Sequence, residues 1–298
     1  MPPSGDRVVT WQNQELVLWQ RHVPKTLKKL TFDTALYQVE ISHDGRFLVA
    51  GFTNGAYRRW HFPSLVPAGI LQLQKAESVQ WPFAISPDGA YLTRTLFEQK
   101  RSQDIMHLEV WDWQKGRRLN TLWAHQQPLQ LAGHYPGSQL VFHPLGGYLA
   151  FATEAGDLKI FDTQRHRWRY QMPGSPPLSY AENGDYFAFC VPQGKNHEIH
   201  AIKLWHLPTN RLKTFQVGDV SATESALTLS QSGRYLAYTE RSQGNRRKLT
   251  VRKVWGGDTV FSAWVPEEVD ALSIPPEENG VYTSSLLRPD TPSAFYAF

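Results

Sequence analysis

The sequence predicts an all-β fold assembled from about seven copies of one small antiparallel sheet. Three observations carry that expectation. The stretch 142–162, FHPLGGYLAFATEAGDLKIFD, turns through HPLG into a run that is apolar on both strand faces, then reverses through Glu-Ala-Gly-Asp into LKIFD. Tyr148, Ala150 and Ala152 on one side and Leu149 and Phe151 on the other must each be covered, as repeated sheets standing face to face would do. Second, a Gly followed two residues later by an aromatic recurs at Gly45, Gly89, Gly146, Gly184, Gly233 and Gly280, at intervals of 44, 57, 38, 49 and 47 residues, with a weaker copy at Gly5. These intervals bracket a repeat of roughly 40–45 residues, and each Gly suits the positive φ of a tight turn between strands. Third, a second aromatic follows each Gly: Trp19, Trp60, Trp111, Phe161, Trp205, Trp255 and Tyr296, at separations of 14, 15, 22, 15, 21, 22 and 16 residues. The long separations mean that the third, fifth and sixth units carry about seven extra residues in one hairpin.

The elements follow in order. Residues 6–32 offer the strands RVVTW, ELVLW and TLKKLTF, with nothing before them to serve as an innermost strand. The second unit, ISHDGRFLVAGFTNGAYRRWHF, is compact, and its Asn-Gly pair favours a tight hairpin. The third has the lengthened hairpin FEQKRSQDIMH and an outer strand RLNTLWAH. The next segment, QQPLQLAGHYPG, reads as an enlarged link because it holds too many polar and turn residues for a strand. The fifth unit's hairpin extends through VPQGKNHEIH and the sixth's through ERSQGNRRK. VDALSIPP, GVYTSSLL and SAFYAF end the chain with three strands and no outermost fourth. About 26 strands are expected in all.

At 298 residues the repeats use the whole chain, so residues 1–298 read as one domain with no catalytic domain appended. Aromatics make up 13% of the residues, which suits sheets packed face to face by large flat side chains. The one cysteine, Cys190, lies in the apolar run YFAFCV and reads as a buried strand thiol. The N-terminus has no apolar leader core, and no run approaches the ~18 apolar residues of a spanning helix. A soluble, cytoplasmic protein is expected.

The strings SPDGAYL at 86–92, LEVWDW at 108–113, LKIFD at 158–162 and IKLW at 202–205 resemble the WD-repeat family, with RLNTLWAH at 118–125 matching the end of a repeat. The resemblance covers nearly the whole chain. It implies a β-propeller of four-stranded blades, seven-bladed by count, with a six-bladed ring and spare terminal strands as the alternative. Asp after Trp survives only at Asp112, Asp162 follows a Phe, and Gly-His occurs as Gly133-His134 and in altered form as Ala124-His125. The family's hydrogen-bonded tetrad should therefore be mostly missing. The resemblance makes His125 and His134 structural hydrogen-bonders at blade junctions. Trp19, Trp60, Trp111, Phe161, Trp205 and Trp255 recur at one place per unit and read as packing between blades.

In WD-repeat propellers the loop between second and third strands and the link between blades open on one rim, so the resemblance gathers the insertions at one mouth. Long loops on a rigid scaffold are where binding residues reside. Arg241, Arg246, Arg247 and Lys248 against Glu240 give +3 in one loop of a chain formally +4. In the other insertions Lys100 and Arg101 balance Glu98 and Asp104, and Lys195 balances Glu198. Lys100, Arg101, Lys195, His197, Arg246, Arg247 and Lys248 are the contact candidates. The expected partner is another protein with an acidic surface; one basic loop is not a nucleic-acid groove, and no obligatory small-molecule ligand is evident. His197 and His200 point to opposite faces of a strand and do not form a helical zinc motif. No nucleophile elbow, phosphate-binding loop or paired-cysteine spacing occurs, so no cofactor, metal or catalytic residue is expected. The expected function is a non-enzymatic interaction scaffold that helps assemble a complex. A hydrolase or lyase with its site in the central mouth, and a nucleic-acid-binding propeller, are the alternatives.

Overall fold

The computed structural model describes residues 7–20, 25–73, 83–100, 103–128, 139–152, 156–165, 167–193, 198–220, 226–241, 246–267, 269, 271–284 and 294–298, with the backbone alone at 96–100, 103–107, 120–128, 192–193, 198–200, 219–220, 241 and 284. Contacts divide the chain into two units, residues 1–134 and 135–298. Among the described residues the regular structure is 26 β-strands in seven antiparallel sheets, the number expected from the sequence.

In the first unit, sheet 1 holds β1 (Arg7–Gln12), β2 (Glu15–Gln20) and β3 (Lys25–Thr31), and sheet 2 holds β4 (Leu36–Ile41), β5 (Phe47–Phe52), β6 (Ala56–His61) and β7 (Val66–Gln72). Sheet 3 holds β8 (Phe83–Ile85), β9 (Tyr91–Lys100), β10 (Gln103–Asp112) and β11 (Arg117–Pro128). In the second unit, sheet 4 holds β12 (Gln139–Phe142), β13 (Tyr148–Ala152), β14 (Asp157–Asp162) and β15 (Arg167–Pro173), and sheet 5 holds β16 (Ser175–Tyr180), β17 (Tyr186–Gln193), β18 (Glu198–His206) and β19 (Arg211–Val220). Sheet 6 holds β20 (Leu227–Leu229), β21 (Tyr235–Arg241), β22 (Arg246–Lys253) and β23 (Thr259–Pro266), and sheet 7 holds β24 (Ala271–Ser273), β25 (Gly280–Ser284) and β26 (Ala294–Ala297). Sheets 2 to 6 are complete four-stranded blades. Among the described residues sheet 1 has no first strand and sheet 7 no last one, as the sequence predicted. Seven blades of this make-up are those of a seven-bladed β-propeller, which sets aside the six-bladed alternative.

The repeat positions the aromatic of each third strand. Val8 faces Trp19, Leu48 faces Trp60, Leu92 faces Trp111, Leu149 faces Phe161 and Phe187 faces Trp205. In four of these sheets the pairing of third and last strands slips by one residue just before that aromatic, a β-bulge that bends the last strand. Sheet 6 has the same slip, but there Leu236 faces Arg252. Trp255 therefore does not hold the position facing the second strand, but its ring still meets those of Tyr186 and His206 of sheet 5, each at 6.1 Å. It lies three residues later, in the turn after β22, and is 67% exposed. Val254 is buried at the place that Trp113 holds two residues beyond Trp111, its N–H bonded to Arg234 O as Trp113 N–H is to Ala90 O.

Each apolar cluster joins two consecutive blades. Leu158, Ile160, Leu178, Phe187, Phe189 and Trp205 pack sheets 4 and 5, and Ile202, Phe215, Leu236 and Tyr238 pack sheets 5 and 6. This is why the strands are apolar on both faces. The turn glycines add an interlock. Gly89 and Gly233 have φ of 66° and 73°, and a Cβ on either would stand 2.6 Å and 2.4 Å from the rings of Phe47 and Tyr186, the repeat aromatics of the preceding blades. In sheet 7 the positive φ falls on Glu278 and not on Gly280, which lies inside β25.

Neighbouring first strands do not pair by backbone; side chains bridge them. Gln38 of β4 donates to Phe83 O at 2.8 Å and accepts from Phe83 N at 3.0 Å. Gln139 of β12 makes the same pair with Leu178, and Ser179 Oγ accepts from Leu229 N at 3.0 Å. The repeat-end Asp residues work locally. Asp112 accepts from Lys115 N, and Asp162 from Gln164 N and Arg165 N, capping their turns. The junction histidine is His143, 9% exposed, whose Nε2 lies 2.9 Å from Gly184 O. The side chain of His125 and all of His134 lie outside the described residues.

Candidate interaction face

The insertions of sheets 3, 5 and 6 do not form loops alone; they prolong the second and third strands. β9 and β10 run 10 residues each and close at Gln103 opposite Lys100, whereas β5 and β6 run 6. β17 and β18 close at Gln193 opposite Glu198, and β21 and β22 at Arg241 opposite Arg247. β11 follows β10 out to Pro128, paired with Gln103, so Gln126 and Gln127 continue a strand where the sequence predicted a link. A ladder partner three strands deep outweighs their polarity, because strand preference depends on context.

Of the contact candidates, Arg101, Lys195 and His197 lie outside the described residues, and Lys100 is placed only by its backbone at the end of β9. The other three are resolved, and they do not act together. Alternation along β22 leaves Arg246 and Lys248 exposed and turns Arg247 inward. Arg247 is 7% exposed and donates from Nη1 to Val269 O at 3.1 Å, so it fastens sheet 6 to the segment leading into sheet 7. It is removed from the contact surface. Glu240, counted as offsetting the loop's charge, faces Lys248 across the ladder but gives its oxygens elsewhere. Oε1 accepts from Gly218 N at 2.6 Å and Oε2 from Thr250 Oγ1 at 3.5 Å.

Trp264, unmarked in the sequence reading, completes the patch. It stands on β23 directly opposite Lys248 and is 55% exposed, while Pro266 is opposite Arg246. Directly opposed residues share a face, so two cations and an indole lie on one surface of sheet 6. The signal was present: TVFSAWVP alternates so that Val260, Ser262 and Trp264 face away from Phe261, Ala263 and Val265, the last of which is buried against sheet 7.

Two titratable groups inside the fold, Cys190 and Glu109, are enclosed by their neighbours. Burial pushes the Cys190 thiol far up, so it stays protonated. Glu109, 3% exposed, accepts from Arg94 Nε at 2.9 Å, Trp111 Nε1 at 3.0 Å and Arg118 Nη1 at 2.7 Å. Among the described residues no group of three or more His, Cys, Asp or Glu could hold a metal, and no helix is long and apolar enough to cross a membrane.

The architecture has wide structural likeness. The β-propeller domain of Cps50 (Swd1) from Myceliophteria thermophila aligns over 100% of this chain and 95% of its own, with a TM-score of 0.70 and 14% identity. Hydrazine synthase from Kuenenia stuttgartiensis aligns over 100% of this chain and 94% of its own, with a TM-score of 0.69 and 12% identity. At such identities the likeness defines the fold, a seven-bladed β-propeller. No protein-family model and no curated protein matches the chain.

Proposed function

We propose that this chain is a divergent WD-repeat-like propeller that works in the cytoplasm as a non-enzymatic interaction module, presenting prolonged hairpins and a basic patch to another protein and helping to assemble a multiprotein complex. The observation that carries the reading is the end of sheet 6. There the prolonged β21–β22 hairpin exposes Arg246 and Lys248, which have no ion-pair partner among the described residues, beside the exposed Trp264. Tryptophan and arginine are the residue types that dominate protein interfaces. The likeness to the Cps50 (Swd1) propeller domain fits the same reading, while the likeness to an enzyme shows how much the fold accommodates.

The test is affinity capture by the full chain from its native lysate, read by mass spectrometry, with the Arg246→Gln/Lys248→Gln double variant beside the wild type. Arg247 is left intact because its loss would disturb the sheet 6 to sheet 7 contact. A stoichiometric protein partner is expected. Wild type recovered alone, or with small ligands or nucleic acid only, overturns the reading.

A further inference from the structure

A blade ends in an edge whose backbone N–H and C=O groups face outward, and such an edge pairs with other strands unless something opposes it. The last strands of this protein carry such opposition almost everywhere. β3, β11, β15 and β19 each hold two or more lysines or arginines, and β7 is interrupted by Pro67 and Gly69. β26 is only 4 residues long. β23 is different: TVFSAWVP spans 8 residues with no charge, no glycine and proline only at its end, and it is rich in strand-forming types. Among the described residues no strand pairs with its far edge.

Several cations of the other edge strands are engaged, although Lys25, Arg117, Arg167 and Arg211 have no partner among the described residues. Lys28 donates to the carbonyls of Ser64 and Leu65, Arg118 is bonded to Glu109, Arg169 lies over Tyr148 and Tyr170, and Lys213 donates to Val254 O. Arg246 and Lys248 have no such partner among the described residues. They are spaced two apart on β22, on the face they share with Trp264. Two residues along a strand advance about 6.6 Å, the spacing at which alternate side chains of an added strand would fall.

We propose that β23 is a strand-addition site that takes an extended acidic segment of another protein as a fifth strand of sheet 6. Backbone hydrogen bonds to the open edge give affinity. Alternate carboxylates on the exposed face meet Arg246 and Lys248 across Trp264, whose ring shields the pair from water and takes an apolar side chain of the segment. A second copy of this chain fits poorly, because β23 has no acid to offer the two cations. The inference rests on the proposed interaction role and names the chemistry and geometry of one contact within it.

The probe is a fluorescein-labelled decapeptide of alternating glutamate and valine, with anisotropy read against the full chain at low and at physiological salt. Companion probes are the glutamine-for-glutamate peptide, the acidic peptide N-methylated at alternate valines, and an oligouridylate. The acidic peptide is expected to bind, and the Arg246→Gln/Lys248→Gln variant to bind it roughly tenfold more weakly with a smaller salt dependence. N-methylation should cost tenfold or more, because it removes the edge hydrogen bonds and leaves the protein untouched. Equal binding of the N-methylated peptide eliminates strand addition, and unchanged affinity in the double variant eliminates the charge selection. Concentration-dependent doubling of mass without peptide binding assigns the edge to a second copy. Oligouridylate binding in place of the peptide assigns the patch to nucleic acid. A partner still captured from lysate by the double variant, alongside failure of the peptide, would refute this site and leave the interaction role standing.

Discussion

The contacts from sheet 2 to sheet 3 and from sheet 4 to sheet 5 fill one repeat position with opposite chemistry. Two residues beyond Leu92, which faces Trp111, stands Arg94; two residues beyond Phe187, which faces Trp205, stands Phe189. Both are buried. Phe189 stacks with Phe187 at 5.5 Å among aliphatic neighbours. Arg94 pairs with Glu109, and a polar chain runs on through Tyr57 to Tyr37, whose hydroxyls are 2.8 Å apart. The backbone repeat thus dictates where a side chain goes and leaves its chemistry open, provided that every buried lone pair and proton is met. The two solutions differ in how they fail. A buried ion pair adds little net stability when intact but is costly to break, whereas an aromatic loses stability in proportion to the atoms removed.

That difference gives the largest expected effects. Glu109→Gln leaves Arg94 buried without its counter-charge and should cost about 3–5 kcal/mol in denaturant unfolding; Phe189→Ala should cost a similar ~3–5 kcal/mol through a cavity. Replacing Arg94 and Glu109 together by leucine should recover most of the loss, while no second change near Phe189 will. The pH dependence separates them too. Burial raises the Glu109 carboxyl, but the bonds from Arg118, Arg94 and Trp111 outweigh it and hold it below the ordinary range. Its stabilisation is therefore present above the ordinary carboxylate pKa and is lost as pH falls through the lowered value. Glu109→Gln should flatten that acid limb and Phe189→Ala should not. A cost below about 1 kcal/mol for Glu109→Gln would break the comparison.

Much of this architecture is legible in the sequence because it rests on local chemistry repeated seven times. The turn glycines, the two-faced apolar runs and the incomplete first and last blades could all be read from spacing. What the sequence hid depends on pairing. Trp255 sat at the expected interval from Gly233, yet the β21–β22 hairpin is three residues shorter than that interval implies, so Arg252 occupies the position facing Leu236. Gln126 and Gln127 looked like linker until β10 supplied a ladder. Arg247 counted as loop charge until alternation turned it inward. The patch was half visible, as two basic residues, and its third member required knowing that Trp264 lies across from Lys248.

Gly89 and Gly146 sharpen the contrast at smaller scale, since they hold the same turn position in different surroundings. Both have positive φ, 66° and 80°. A Cβ on Gly89 would meet Phe47 at 2.6 Å, and on Gly146 nothing within 4 Å. Gly146→Ala should cost about 1 kcal/mol for backbone conformation alone. Gly89→Ala should cost roughly 2–3 kcal/mol, because Phe47 must also move. Equal costs in urea unfolding would show that the ring contact between blades adds nothing.

An effect confined to one side of the pH range comes from the first strands. Gln38 and Gln139 bridge to the next blade alike, but two residues on stand Glu40 in β4 and Val141 in β12. Gln38 Nε2 also donates to Glu40 Oε1 at 2.9 Å, and burial still pushes that carboxyl from 4.5 up to about 7. A raised acid is the reverse of Glu109: its contribution is fully present below the unfolded value of 4.5 and is lost as pH rises through about 7. Glu40→Gln, which keeps the shape and removes the charge, should stabilise by about 1–2 kcal/mol at pH 8 and by little at pH 4, giving a flatter curve of stability between pH 5 and 8. Wild-type and variant curves that run parallel across this window would mean that the carboxylate is hydrated, and that β4 tolerates its charge as readily as β12 holds its valine.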